Sequence, residues 1–143
     1  MRTYPIEEVH SGEDDGSLWV SLGFASQDNP LDVLHIVCTL QPDAQDRALG
    51  MAALYLERDD QSRGGYAGAD RILAGADAVT VELNAAGRER LEFDAPLRLT
   101  WAATLPGREA ALSILARMGG DECGRVVERV AAATGTGTGT TAA

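Results

Sequence analysis

The feature that most constrains this chain is an apolar alternation with a period of two, which recurs between closely spaced turn signals. Leu18, Val20, Leu22 and Phe24 alternate with Trp19, Ser21 and Gly23. Leu34, Ile36, Cys38 and Leu40 alternate with His35, Val37 and Thr39. Such a pattern places one side of a strand in a core and the other side outside it. Further runs predict strands over 51–58, 78–83 and 97–101. In the first, Tyr55 and Glu57 share one face and Leu54 and Leu56 the other. Residues 71–73 form a short partner to 78–83 across a turn at Gly75–Asp77. Residues 1–10 offer a short strand broken by Pro5, and SGEDDGS (11–17) reads as a turn.

Helical spacing is confined to a few places. Ala111, Ile114, Leu115 and Met118 predict a helix over 108–118, opened by Pro106–Gly107 and stopped by Gly119–Gly120. Asn84 suits the cap of a short helix through Leu91. Asp43 suits the cap of a single turn over Gln45–Leu49, with Gly50 as its stop. Val126, Val127 and Val130 suggest a weaker helix. The strands follow one another too closely for repeated βαβ crossovers. The expected fold is α+β: a mainly antiparallel β-sheet with a C-terminal helix packed on one face. Residues 1–118 form the domain, 119–133 a weak helical extension, and 134–143, TGTGTGTTAA, a disordered Gly/Thr-rich tail.

Charge narrows the partners. Over 143 residues the net charge is −10, and all twelve basic residues are Arg. That bias is typical of GC-rich bacterial genomes. Nucleic-acid binding needs clustered positive charge, and an anionic membrane repels an acidic protein, so neither partner is expected. A basic protein partner fits. No stretch nears the roughly 18 apolar residues of a membrane span. The N-terminal MRTYPIEEVHSGEDDG lacks the apolar core of a secretory signal, so a cytoplasmic location is expected. Cys38 and Cys123 do not make a disulfide framework, and Cys38 reads as a small buried hydrophobe.

Catalytic and cofactor chemistry finds little support. His10 and His35 have no ligand at metal spacing, so no metal is expected. The loop Asp59-Asp60-Gln61-Ser62-Arg63-Gly64 resembles a calcium loop, but Arg63 sets a cation where an oxygen ligand belongs. There is no nucleophile elbow, and GGYAG (64–68) matches no phosphate-binding loop, so no cofactor is expected. Glu57, Asp59 and Asp60 leave open a small carboxylate-dependent hydrolase; a generic protein-binding adaptor is a further alternative. Trp19 either covers the second sheet face or stands out as a contact residue.

The segment QPDAQDRALGMAALYLERDDQSRGGYAG (41–68) carries D-x-Q-D-x-x-L-G-M, then Y-x-E, then D-Q, then G-Y-x-G. These are Asp43, Gln45, Asp46, Leu49, Gly50 and Met51; Tyr55 and Glu57; Asp60 and Gln61; Gly65, Tyr66 and Gly68. In order and spacing the segment resembles the immunity protein 10 family of bacterial polymorphic toxin systems. A weaker likeness runs from the strand at Leu18 to the helix ending near Met118. The chain departs from the family pattern at Ala69 and runs on through 119–143. The resemblance implies a cytoplasmic protein that binds and neutralises a cognate toxin domain without catalysis. The toxin-binding surface is expected at Asp59, Asp60, Gln61, Arg63 and Tyr66, where acid, guanidinium and aromatic ring stand together on a loop. Asp43, Gln45 and Asp46 are possible neighbours, although a cap-and-turn role explains that stretch as well.

Overall fold

The computed structural model describes residues 1–130. The expected Gly/Thr-rich tail at 134–143 lies outside them. The elements are β1 (Arg2–Asp14), β2 (Ser17–Phe24), β3 (Asp32–Thr39), α1 (Ala44–Ala48), β4 (Tyr55–Arg58), β5 (Gly64–Tyr66), β6 (Ala69–Ala74), β7 (Ala78–Leu83), α2 (Ala85–Leu91), β8 (Leu97–Thr100), α3 (Arg108–Gly119) and β9 (Val127–Arg129). The nine strands form one sheet in the order β5-β4-β3-β2-β1-β8-β7-β6-β9. Every pairing is antiparallel except β1 with β8 and β6 with β9. The α+β class, the dominance of antiparallel pairing and the helix on the sheet all match the sequence reading.

The first strand is longer than expected. β1 runs through Ser11–Asp14, where a turn was predicted, and the turn itself is only Asp15–Gly16. Both turn residues have positive φ, 50° and 74°, as a tight two-residue hairpin with right-handed strand twist demands. Pro5 does not break the strand. β2 pairs with β1 only from Ile6 onward, so among the described residues the Arg2–Pro5 stretch has β8 as its one strand neighbour. A missing N–H is tolerated there as it is on an edge strand. A bulge between Ile6 and Glu8 marks the change of partner.

β4 is shorter than expected, Tyr55–Arg58 rather than 51–58. After α1 the chain passes through Gly50 at φ 75°, and the Met51 amide bonds back to the Asp46 carbonyl, so these residues complete a turn. The two predicted caps form. Asp43 accepts from the Asp46 amide in a reciprocal capping box, and Asn84 accepts from the Gly87 amide at 2.8 Å.

The C-terminal segment differs in kind. In place of the helix expected from Val126, Val127 and Val130, the chain forms β9, parallel to β6, with Ile72 paired to Val127. The preceding turn is tight: a Cβ on Gly124 would run into the Met118 carbonyl oxygen. β-Branched Val127 then joins the buried cluster beside the sheet.

Both halves of the sheet and α3, through Ala111, Leu112, Leu115 and Met118, build one core. Cys38 is buried there as expected, but it is no isolated thiol: it is disulfide-bonded to Cys123 across a separation of 85 residues. Sequence distance hid the pair because the turn after α3 is what returns Cys123 to the end of β3.

Candidate protein-binding site

The loop after β4 is shaped by its own side chains. Asp59 takes positive φ, 67°, as its amide donates to the Val33 carbonyl. The Asp60 carboxylate accepts from the Ser62 hydroxyl and from the Ser62 amide at 2.9 Å, starting a single 3-10 turn over Gln61–Arg63. Those bonds hold the Asp60 carboxyl below the usual range. Gln61 is exposed. Arg63 lies 3.2 Å from Asp59 and 3.8 Å from Glu92, which ties the loop to the end of α2.

Tyr66 lies on β5 against Tyr55, with ring centroids 5.0 Å apart, and its carbonyl accepts from Arg90 at 2.8 Å. The glycines around it make room. A Cβ at Gly65 would come 2.6 Å from the Arg90 side chain, and one at Gly87 would meet the Gly68 carbonyl. The Gly-Tyr-x-Gly motif is therefore where α2 seats against the sheet. Tyr55 donates to Glu57 at 2.9 Å, and partial burial, reinforced by that bond, pushes its hydroxyl up to about 12.

The structure brings Asp59, Asp60, Gln61 and Arg63 together and separates them from Asp43, Gln45 and Asp46. β3 and β4 are antiparallel, with Leu34 beside Arg58 and Val37 beside Tyr55. The loop after β4 thus lies at the start of β3, and α1 lies beyond its far end. Eight strand residues span about 25 Å. Asp43 and Asp46 are committed to the capping box, while Gln45 is exposed.

Sequence reasoning missed the residue that braces the loop. Arg58, immediately before it, is buried. Its guanidinium holds Asp32 at 2.8 Å, donates to the Leu91 and Glu92 carbonyls at 3.0 and 2.7 Å, and lies 3.8 Å from the centroid of Phe93. It satisfies the carbonyl end of α2, a job for a cation. Burial opposes ionisation of Asp32, yet hydrogen bonds from Arg58 and Ser26 prevail and hold its carboxyl below the usual range. The signal was available: Arg58 follows Leu54 and Leu56 on the inward parity of its strand.

Cys38, Asp121 and Cys123 gather their potential metal-ligand atoms within 4.8 Å, but with the two sulfurs joined to each other neither thiolate is free for a metal. No helix among the described residues is long and apolar enough to cross a membrane.

The family model for Immunity protein 10 matches residues 6–110. The chain belongs to the immunity protein 10 family. The matched span begins in β1 and ends in the first turn of α3, so it holds the whole of 41–68 on which the resemblance rested. Cys123 and β9 follow it. No curated protein and no solved structure matches the chain. The immunity protein 10 name implies a protein partner.

Proposed function

We propose that this protein binds and neutralises a cognate toxin domain of a polymorphic toxin system, without a reaction of its own, in the cytoplasm of the cell that makes both. The observation that carries this reading is the immunity protein 10 match over residues 6–110. The chemistry of the acidic loop supports the absence of catalysis. Glu57 accepts from Tyr55, Asp59 faces Arg63, and Asp60 caps the 3-10 turn. A general acid at neutral pH needs a raised pKa, whereas the Asp60 carboxyl is lowered.

The contact residues we propose are Asp59, Asp60, Gln61, Arg63 and Tyr66; Asp43, Gln45 and Asp46 shape the α1 turn. Complementary charge speeds association, and buried anchors lengthen residence. The test is co-expression with the variable C-terminal domain of a large secreted protein, sought in the gene immediately upstream. Rescue of growth is expected, and a host that dies regardless overturns the reading. Asp60→Ala and Arg63→Ala then locate the contact. Lost affinity with unchanged melting assigns the loop to the interface; unchanged affinity in both moves the interface elsewhere.

A further inference from the structure

The sheet has a second face, and across β2–β5 it carries a row of aromatic rings. Successive cross-strand partners run Gly12, Trp19, Val37, Tyr55, Tyr66. Each of these is partly exposed. Strands lie about 4.8 Å apart, so the row from Trp19 to Tyr66 is about 15 Å long. The large helices occupy the other side. Arg117 of α3 bonds Glu13 at 2.9 Å beside buried Leu18, and α2 meets inward-facing Arg58.

The outer face of such a sheet is ordinarily polar. Here its rings are also fixed in place. The Trp19 indole donates to Asp14 at 2.8 Å and lies over Gly12, where a Cβ would come 3.1 Å from the ring. The Tyr55 hydroxyl lies over Gly64, where a Cβ would come within 2.5 Å, and donates to Glu57. Two glycines thus let two rings lie flat across neighbouring strands. Rigid, partly exposed Trp and Tyr side chains are the chemistry of interface anchors, because little rotamer freedom remains to be lost on binding.

Carboxylates border the row. Asp14 and Glu57 sit within it. At its flank a cleft of about 190 Å³ opens over Gly23, walled by Glu7, Glu8, His10, Leu31 and Val33. Glu7 is the extra residue of the β1 bulge, and Leu31 is 82% exposed. The apolar wall suits an alkyl stem, while Glu7, and Glu8 beside its partner His10 at 2.6 Å, suit a cationic head, which is the shape of an Arg or Lys side chain.

We propose that this outer face, from the cleft over Gly23 to Tyr66, docks a basic surface of the toxin domain, with an Arg or Lys of the partner entering the cleft; this rests on the neutralisation reading above. Tyr66 joins the face to the loop after β4. The toxin domain contributes apolar contacts to the row and positive charge to the acidic margin, matching the net charge of −10.

The test measures binding of the full chain to the purified, catalytically inactivated toxin domain that it protects against in the co-expression test. Two variants are compared with the parent: Tyr66→Ala, and Glu7→Arg with Glu8→Arg. We expect each to lose at least tenfold in affinity. The charge reversal should lose it mainly in association rate, most strongly at low salt. Glu7 and Glu8 are exposed, so that variant decides the matter should Tyr66→Ala fail to fold. Parent-like affinity in the folded variants overturns the proposal while leaving neutralisation standing. A parent chain that does not bind the toxin domain overturns neutralisation itself, and the docking proposal with it. A parent that dimerises, and that Tyr66→Arg makes monomeric, assigns the face to a second copy and overturns the toxin as its occupant.

Discussion

Arg58 shows how a single side chain can serve three elements. It reaches from β4 to Asp32 at the start of β3, to the last carbonyls of α2, and to the ring of Phe93. Removing one partner of a buried pair strands the other charge, at a cost of about 3–5 kcal/mol. Arg58→Ala should therefore lower the urea midpoint strongly, whereas Arg63→Ala, on a half-exposed pair, should barely move it. The same pair sets an acid limit. A carboxyl whose folded pKa is depressed stabilises the fold fully above its unfolded value, about 3.9, and that contribution is lost as pH falls through the folded value. Acid unfolding followed by circular dichroism should accordingly steepen below about pH 4 in the parent. Asp32→Asn should be less stable at neutral pH and should lack that component.

At the scale of elements, what could be read from the sequence was what repeats locally. The alternation of Leu18–Phe24 and Leu34–Leu40 located β2 and β3, and the spacing of Ala111, Leu115 and Met118 located α3. Asp43 and Asn84 located the two short helices. Two kinds of feature escaped. Arg58 was on the inward parity of its strand, but its charge disguised it as a strand end. β9 and the disulfide depend on residues far apart in sequence, which leave no local period. The aromatic row was legible only in pieces: Trp19 and Tyr55 each lay on the outward parity, but their alignment is set by strand register. The disulfide has a measurable consequence. Closing a loop of 85 residues restricts the unfolded chain by up to about 4–5 kcal/mol in the chain-entropy account. Reduction, or Cys123→Ser, should lower the calorimetric melting temperature by many degrees and free the turn that leads into β9. Within a reducing cytoplasm the bond persists only if its potential is low, roughly below −300 mV. Equilibration in glutathione buffers, read by thiol trapping, measures that directly.

For the molecule as a whole, the core and the outer face divide the work. Leu18, Leu34, Leu56, Leu99 and Leu115 hold the fold from within, and the side proposed to meet the partner is the one the core does not need. The Gly/Thr alternation of residues 134–143 is expected to be dispensable, since its sequence lacks large apolar residues. Deleting them should leave melting and toxin affinity unchanged; a clear loss of either would show that the tail contributes. The pairing of β1 with β8 carries a further consequence, in time rather than in space. Arg2 meets Leu97, and Ile72 meets Val127, so the two parallel seams join segments that leave the ribosome far apart. The β1–β2 hairpin can close within microseconds, but the first four residues of β1 must wait for β8 to be made. During synthesis that stretch is an unpaired edge, and Pro5, which cannot donate, makes it a poor template for stray strands. A chain whose decisive contacts are this distant is expected to fold late and slowly, in milliseconds to seconds, after its β1–β2 hairpin has already taken shape.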